Sequence, residues 1–266
     1  MIENRTMRAL PPPWYDVIGD QANHNGPYVF TCQHATDSFG PHPIEAVNQS
    51  LLGTHWAVDL GAAELTRALA VKTDSLAVLS RYSRLLLDAN RCLNSKTLFV
   101  DSIESQVLAC NQSLTEQERQ YRIKCLHTGY HEGVREIVTT RLTNGTCTLV
   151  SMHSFTPVWK GEKRTVEIGV LFDAHEGLAH RVIEGLSKQG FDTRANEPYS
   201  GTTGELMYAA TVHGKKHQIP YIEFEVRQDL LATKAGIARV CDAIAHALGD
   251  ATRNTCLLYT SPSPRD

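Results

Sequence analysis

Two histidines stand at the ends of strand-like runs: His34 follows residues 28–32, and His153 follows a run that begins at residue 147. The carboxyl ends of parallel strands lie side by side, and open α/β sheets place their chemistry at that edge. Catalytic zinc takes three protein ligands and keeps a fourth position open, so two imidazoles at one edge are candidate ligands. Taken alone, a strand-end histidine is more often a hydrogen-bonded structural residue, and it is the pairing of two that suggests a metal. The remaining histidines are expected at the surface or behind the site, and they include His131, His175, His213 and His217.

A third metal ligand is needed, and three residues are candidates. Asp59 opens an amphipathic helical stretch beside the first crossover, where its carboxylate could turn back to the sheet edge or could simply cap the helix. Asp37 follows His34 at a spacing seen in some zinc sites, and His55 shortly precedes Asp59. The residue pattern alone leaves all three open.

A further strand-like run, over residues 219–227, contains the carboxylates Glu223 and Glu225. Beside a metal, a carboxylate at a sheet end can accept a proton from water and pass it to a leaving amine, which makes Glu225 the candidate general base. Glu223 points to the same face of the strand, because side chains alternate with a period of two. The competing interpretation is a salt bridge from Glu225 to Arg227 or to Arg164.

Three arginines, Arg81, Arg84 and Arg91, lie close together in the sequence around an apolar stretch. Guanidinium groups bind carboxylates through two parallel hydrogen bonds. Together with Arg84, the adjacent pair of Asn90 and Arg91 therefore predicts a small anionic substrate. The alternative is that Arg81 and Arg84 form structural ion pairs with Asp88 and Glu64, and that alternative is favoured for Arg81.

These residues need a scaffold, and strands alternate with helices along the chain. Other strand-like runs cover residues 75–79 and 167–172. Helical stretches begin near residue 59, at a capping box formed by Thr115 and Glu118, and near residues 130, 174 and 234, the last ending near residue 248. This alternation predicts a mostly parallel sheet with helices on both faces. The predicted catalytic domain covers residues 28–250, between a polar lead-in (1–27) and a tail (251–266) whose serines and prolines resemble a cloning scar.

Composition and charge exclude several classes of protein. With 42% hydrophobic and 21% charged residues among 266, the chain can bury a full core, which excludes wholesale disorder. The net charge of -3 and the scattered arginines argue against a nucleic-acid partner. We find no apolar run of membrane-spanning length and no apolar signal core in residues 1–6, so we expect a cytoplasmic protein without a membrane partner. The seven cysteines lack a CxxC motif and favour reduced thiols.

Seven short motifs follow one another along the chain. Three lie before residue 92: Cys32-Gln33-His34-Ala35, His55-x-x-x-Asp59-x-Gly61-Ala62 and Ser80-Arg81-Tyr82-Ser83-Arg84-Leu85-x-x-Asp88-x-Asn90-Arg91. Four come later: His153-Ser154-Phe155-Thr156-Pro157, Ile168-Gly169-Val170-Leu171, Asn196-Glu197-Pro198-Tyr199-Ser200 and Glu225-Val226-Arg227-Gln228-Asp229-Leu230-Leu231. In this order they resemble the N-formylglutamate amidohydrolase family, from about residue 29 to residue 232.

The resemblance implies a three-layer α/β/α sandwich of the zinc-dependent exopeptidase (phosphorylase/hydrolase-like) type, with a central, mostly parallel mixed sheet. It also implies hydrolysis of an N-acyl bond, in the named case the release of formate from N-formyl-L-glutamate late in histidine breakdown. Asn90 and Arg91 match the pair that holds the terminal carboxylate in zinc carboxypeptidases.

Matched residue by residue, the family resemblance implies that His34 and His153 are metal ligands and that Glu225 is the base. Asp59 lies in the better matched of the motifs that could supply the remaining ligand, so it is predicted to complete a site for Zn²⁺ or another divalent metal. Gln33 stands where members usually have Glu, and this difference is expected to alter the support of His34.

The leading hypothesis is thus a zinc-dependent amidohydrolase of an N-acyl amino acid, with N-formyl-L-glutamate as the first candidate. A second hypothesis keeps the same machinery but acts on another acylated amino acid or a peptidoglycan fragment, and it requires a long open groove. The third is a metal-free binding module, whose ligand affinity would not change in His34→Ala or His153→Ala. The sequence does not indicate an oligomeric state.

Overall fold

The structure, a computed structural model, describes residues 9–41, 49–203 and 205–258. Its strands are β1 (Tyr15–Ile18), β2 (Tyr28–Cys32), β3 (Leu76–Ser80), β4 (Ser102–Ile103), β5 (Gln106–Val107), β6 (Thr148–Phe155), β7 (Val158–Trp159), β8 (Glu162–Lys163), β9 (Ile168–Leu171), β10 (Thr193–Ala195) and β11 (Tyr221–Arg227). Its helices are α1 (Ala62–Lys72), α2 (Glu116–Arg122), α3 (Gly129–Thr143), α4 (Glu176–Lys188), α5 (Tyr208–His217) and α6 (Lys234–Leu258), and a π-helical segment, Ile123–Thr128, joins α2 to α3.

A seven-stranded sheet forms the centre of the molecule, in the order β1-β3-β2-β6-β11-β9-β10. Parallel pairs join β2 to β3, β2 to β6, β6 to β11 and β9 to β10. The pairs of β1 with β3 and of β9 with β11 are antiparallel. The predicted mostly parallel mixed sheet is therefore confirmed. The three strands expected to position site residues, β2, β6 and β11, are neighbours at its middle and are buried almost throughout, as strands covered on both faces must be.

Helices cover both faces of this sheet. On one face α1, α4 and α6 contribute Leu65, Val182 and Ile244 to a core shared with the strands. On the other face α3 and α5 contribute Ile137 and Ala210 to a second core. Burial of one large aliphatic side chain contributes about 1.5–3 kcal/mol, so these apolar faces hold the layers together. The three-layer α/β/α sandwich predicted from the sequence is confirmed.

A third apolar cluster lies beside the sheet, under the long connection from β3 to α2. Its members include Leu85, Leu86, Leu98 and Leu126. The connection has little regular secondary structure, so this packing, rather than a hydrogen-bonded ladder, fixes where residues 81–101 lie. At the start of α2 the predicted capping box is present, with both Thr115 and Glu118 bonded to the other's backbone N–H.

Two segments outside the predicted domain join the fold. β1 lies within the predicted lead-in, yet it forms an edge of the sheet by pairing with β3, and Leu10 is buried. The strand is short and follows several prolines, which hid its β pattern. The last helix continues past residue 248 to Leu258, because residues 249–258 contain no proline to stop it. Residues 259–266 lie outside the described part of the chain, so the interpretation of the tail stays a prediction. No helix in the described ranges is both long and apolar enough to cross a membrane.

Candidate active site

His34, Asp59 and His153 lie together in the folded chain and are called here the ligand set. The three residues are buried, and their potential metal-binding atoms all lie within 4.8 Å of one another. His153 Nδ1 is 2.7 Å from Asp59 Oδ2, and His34 Nδ1 is 3.3 Å from the same oxygen. Two imidazoles and one carboxylate form a donor set typical of zinc hydrolases. Within the described residues no other three His, Cys, Asp or Glu side chains come as close.

The sheet and one tight turn bring the ligand set together. His34 follows β2, which pairs with β6, the strand that contains His153. The backbone N–H of Asp59 donates to the carbonyl of His34 at 3.0 Å, so the loop before α1 is held over the sheet edge. Gly61 then turns the chain into α1 with a φ of 79°, and a Cβ atom there would lie 2.4 Å from Leu231 Cβ. Glycine is required at this turn. The Asp59 side chain does not cap α1.

Asp88 supports His34 at its other ring nitrogen. Asp88 Oδ1 lies 2.7 Å from His34 Nε2 and also accepts the backbone N–H of Asn90 at 2.9 Å. The second oxygen of Asp88 accepts from Arg84 at 2.8 Å. A carboxylate on the outer nitrogen of a ligating histidine fixes the orientation of the ring and raises its basicity. The sequence suggested Asp88 only as an ion-pair partner of an arginine, and its contact with His34 was missed.

Arg84 indicates that the space between these ligands accepts a positive charge. Its NH1 group lies 3.1 Å from His34 Nδ1 and 3.5 Å from Asp59 Oδ1. A guanidinium group can only donate, so His34 Nδ1 is the acceptor and the ring proton belongs to Nε2, which faces Asp88. This tautomer leaves the lone pair of Nδ1 directed at the space that Arg84 partly fills. The donor set therefore fits a divalent cation such as Zn²⁺.

Glu225 and Glu223 differ in the part of the site that they face. Glu225 pairs with His153 in the register of β11 and β6, and its side chain lines the adjoining cavity. Glu223 does not line the cavity, and its Oε2 atom lies 3.7 Å from the outer nitrogen of His153. In the described part of the chain Glu225 forms no ion pair with Arg227, which pairs elsewhere, or with Arg164. The geometry distinguishes two carboxylates that the sequence left equivalent.

The four buried carboxyl groups fall into two pairs with opposite pKa shifts. Burial opposes the charged form of all four. For Asp59 and Asp88 the adjacent imidazole and guanidinium groups outweigh burial and hold the pKa well below its usual range. For Glu223 burial raises the pKa to about 7. For Glu225 burial, together with the charges of Asp59 and Glu223, raises the pKa well above its usual value. A raised pKa suits a general base that works near neutral pH.

Comparison with known proteins assigns this chain to a family. The profile of a family described as N-formylglutamate amidohydrolase matches residues 26–232. The chain belongs to this family. The sequence resemblance is thereby confirmed, and the protein is a hydrolase of amide bonds.

Solved structures agree with the fold of this amidohydrolase. The gene product Atu2144 from Agrobacterium tumefaciens is 29% identical to it, with a TM-score of 0.84 over 91% of this chain and 95% of that one. An N-formylglutamate amidohydrolase from Ralstonia eutropha JMP134 is 16% identical, with a TM-score of 0.67 over 90% and 97% of the two chains, and at that identity it supports the fold alone. No curated protein matches the sequence.

A cavity of about 290 Å³ opens over the ligand set of the amidohydrolase. Its volume lies just below the range for small-molecule pockets, roughly 300–1,000 Å³. One part of its wall is basic and polar, formed by Arg84, Asn90, Arg91 and Thr97. Another part is aromatic, formed by Trp56, Phe155, Trp159 and Tyr199. A small molecule with an anionic group fits this lining.

Asn90 and Arg91 both line the cavity but differ in their free donors. Asn90 Oδ1 accepts the backbone N–H of Ala209 at 3.0 Å, and Nδ2 donates to the carbonyl of Leu206 at 2.7 Å, so the amide already ties the start of α5 to the site. Arg91 donates from Nε to Thr97 at 3.2 Å and from NH1 to the carbonyl of Asn90 at 2.9 Å. Its NH2 group has no partner among the described residues. Arg91 is therefore the better placed of the two to bind an anion.

Three residues considered from the sequence lie outside the ligand set. Asp37 accepts the backbone N–H of Gly53 at 2.9 Å. His55 lines the cavity but contributes no atom to the ligand set. Arg81 lies 3.6 Å from Asp16 in an exposed ion pair, which agrees with its predicted structural role although the partner differs.

Gln33 does not support His34 as expected. Its Nε2 group donates to Thr31 at 3.2 Å, and its Oε1 accepts from Ser151 at 3.1 Å. Residues 33 and 34 point in different directions, so the support of the histidine comes from Asp88. A glutamine between two hydroxyl groups also avoids the cost of another buried charge.

Proposed function

We propose that the protein hydrolyses N-formyl-L-glutamate, or a closely similar N-acyl acidic amino acid, with the help of a bound divalent metal, zinc being the first choice. The observation that carries the proposal is the buried ligand set of His34, Asp59 and His153 at a cavity that also contains Glu225 and Arg91. Family membership supports the reaction class. The cavity volume of about 290 Å³ favours a small substrate over a peptidoglycan fragment.

The residues around the ligand set have separate tasks in this proposal. A divalent cation held by His34, Asp59 and His153 would supply Lewis acidity to the acyl carbonyl and to a water molecule. Glu225 accepts a proton from the attacking water and delivers it to the amine nitrogen that leaves. Asp88 keeps the proton of His34 on Nε2, so that Nδ1 stays free to ligate.

The arginines orient the substrate. Arg91 binds the α-carboxylate through its free NH2 group. The hydrogen bond from its NH1 group to the carbonyl of Asn90 holds the side chain in place. Arg84 pairs with Asp88 and lines the cavity, so its charge adds to the attraction for an anionic substrate. A divalent cation in the ligand set would compete with the NH1 group of Arg84 for His34 Nδ1.

The experiment that tests the proposal measures formate release from N-formyl-L-glutamate by purified protein. Matched samples are stripped with a chelator, stripped and reloaded with zinc, or untreated, and circular dichroism checks that all three are folded. We expect release in the reloaded sample and none in the stripped one. Full activity after exhaustive chelation would contradict the metal. Zinc bound at one ion per chain without formate release would contradict the substrate and would direct the search to other acyl groups.

A further inference from the structure

Arg164 is a partly buried cation held between aromatic rings beside the cavity. Its guanidinium carbon lies 5.2 Å from the ring centre of Tyr199, 5.4 Å from that of Phe155 and 5.5 Å from that of Trp159. All three rings line the cavity. NH1 also donates to the carbonyl of Thr156 at 3.4 Å. Aromatic faces hold a planar guanidinium group in a fixed orientation, so little freedom is lost when it binds a ligand.

No carboxylate neutralises Arg164 within the described residues. Its NH1 group donates to the hydroxyl of Tyr199 at 3.2 Å, whereas Nε and NH2 have no hydrogen-bond partner in the described part of the chain. The two arginines that line the cavity differ from it, because Arg84 and Arg91 lie 2.8 Å and 4.0 Å from the same Asp88 oxygen. A fixed guanidinium fork with free donors and no acid beside it is a binding group for an anion from outside.

Arg164 and Arg91 belong to opposite sides of the fold. Arg91 lies in the connection after β3, and Arg164 lies between β8 and β9. In the sheet, β3 and β9 flank the site-bearing strands β2, β6 and β11 on opposite sides. The Phe155 and Tyr199 rings that Arg164 contacts line the cavity together with Glu225. Two guanidinium groups therefore lie near the reacting centre on different sides of it.

We propose that Arg164 and the Tyr199 hydroxyl bind a second carboxylate of the substrate, so that the enzyme selects N-acyl amino acids with an acidic side chain. This inference rests on the proposed function and adds the residues that recognise the side chain. Arg91 takes the α-carboxylate and Arg164 the distal one. Hydrogen bonds to a charged group of this kind are worth about 10- to 150-fold in binding.

The first test compares two substrates that differ only in the charge of the side chain. Zinc-loaded wild type and Arg164→Gln are assayed for kcat/KM on N-formyl-L-glutamate and on N-formyl-L-glutamine. We expect the variant to lose about 10- to 150-fold on the acidic substrate and less than about threefold on the neutral one. An equal loss on both substrates would overturn the inference, because it would mean that Arg164 serves folding or the reacting centre instead.

Arg227→Gln is the matched control. Arg227 donates to the carbonyls of Arg164, Thr165 and Val166, so its loss loosens the same segment without removing a charge from the cavity. The ratio of kcat/KM values for the two substrates should stay at the wild-type value in this variant. If this ratio falls to the same extent in both variants, the selectivity depends on the shape of the loop. That result would overturn a direct role of the Arg164 charge.

Titration calorimetry with glutarate, a dicarboxylate that cannot be hydrolysed, separates this inference from the proposed function. The zinc-loaded wild type should bind glutarate at least about tenfold more tightly than Arg164→Gln. That result supports the carboxylate site even if N-formyl-L-glutamate is not a substrate. Equal affinities in the two proteins, or no binding by the wild type, would overturn it.

Discussion

The protein contains two groups of clustered histidines, and within the described residues only one of them has carboxylates in contact with its rings. In the ligand set, the rings of His34 and His153 lie 4.8 Å apart with Asp59 between their Nδ1 atoms. A second group, called here the histidine cluster, lies between α3 and α5 on one face of the sheet. It consists of His127, His131, His213 and His217. The ring centres of His127 and His131 are 4.5 Å apart, those of His131 and His213 are 5.2 Å apart, and those of His213 and His217 are 6.5 Å apart.

The histidine cluster uses its nitrogens for hydrogen bonds to the backbone. His131 Nε2 is 2.9 Å from the carbonyl oxygen of Ala89, and His127 Nε2 is 2.9 Å from that of Arg91. A carbonyl oxygen only accepts, so each Nε2 carries a proton. His131 Nδ1 is then the acceptor for Nε2 of His213 at 2.9 Å. Neutral imidazoles thus hold the chain on either side of Asn90.

The difference in pKa follows from the neighbours, because burial acts in the same direction on the histidines of both groups. Burial lowers the pKa of His131 well below its usual value and that of His213 to about 4, and nearby positive groups add to the effect. Burial and Arg84 also lower the pKa of His34, but Asp88 and Asp59 outweigh them and raise it. Burial by itself makes an imidazole a neutral structural donor. Carboxylates around it make the same side chain part of a site for positive charge.

The largest expected effect is the loss of one member of the ligand set. His34→Ala should lose stoichiometric zinc, and activity on the correct substrate should fall by ~10⁴-fold, because the site no longer holds three ligands. Zinc content by mass spectrometry and formate release measure the two effects. His131→Gln, in the histidine cluster, is the control and should keep its zinc. Equal zinc content in the two variants would contradict the assignment of the metal to the ligand set.

Glu225→Gln should have the second largest effect. Loss of a general base lowers kcat by about 10²–10⁴-fold, and zinc content should remain at the wild-type level. Glu223→Gln should instead act through His153, with a loss of about 10–100-fold in metal affinity. The two variants are compared by kcat at saturating zinc and by zinc affinity. A larger fall of kcat in Glu223→Gln than in Glu225→Gln would mean that Glu223 is the general base.

The contrast between the two groups explains what the sequence could and could not predict. His34, His153 and Glu225 could be predicted because each lies near the carboxyl end of an apolar strand, and neighbouring parallel strands bring such residues together. His34 follows β2, whereas His153 and Glu225 lie two residues before the ends of β6 and β11. Asp59 needed the family motif, since a residue before a helix is as well explained by capping. The structure then added a reason, the bond from its backbone to His34.

The roles of residues outside helices and strands could not be predicted in this way. Asp88 is 54 positions from His34, in a connection whose path depends on the packing of Leu85, Leu86 and Leu98. The local hydrophobic periodicity of the sequence does not predict packing between distant residues of this kind. The histidine cluster was expected at the surface or behind the site, and the sequence did not distinguish these two places. His213 is buried because helix α5 covers the sheet at that face, which the polar sequence of α5 does not show.

The histidine cluster should make stability depend on pH. His213 has a pKa of about 4 in the folded protein and about 6.5 when unfolded, so the unfolded chain binds more protons between these values. Its contribution is complete above about pH 6.5 and is lost as the pH falls towards 4, by up to about 3 kcal/mol. Urea unfolding of metal-free protein at pH 7.5 and 4.5 measures this loss. His213→Gln should show a smaller loss than the wild type, and His246→Gln, at an exposed position, the same loss.

A last comparison tests whether Asp88 is what separates the two groups of histidines. Asp88→Asn keeps the size of the side chain but removes the charge that holds the proton on His34 Nε2 and balances Arg84. The expected loss is about 10–100-fold in zinc affinity, measured by competition with a chelating dye. An amide can present either an acceptor or a donor, so the ring loses its fixed tautomer but keeps its place, and the fold should remain intact. Unchanged zinc affinity would mean that the ligand set alone defines the site, and that the carboxylate behind it serves only to pair with Arg84.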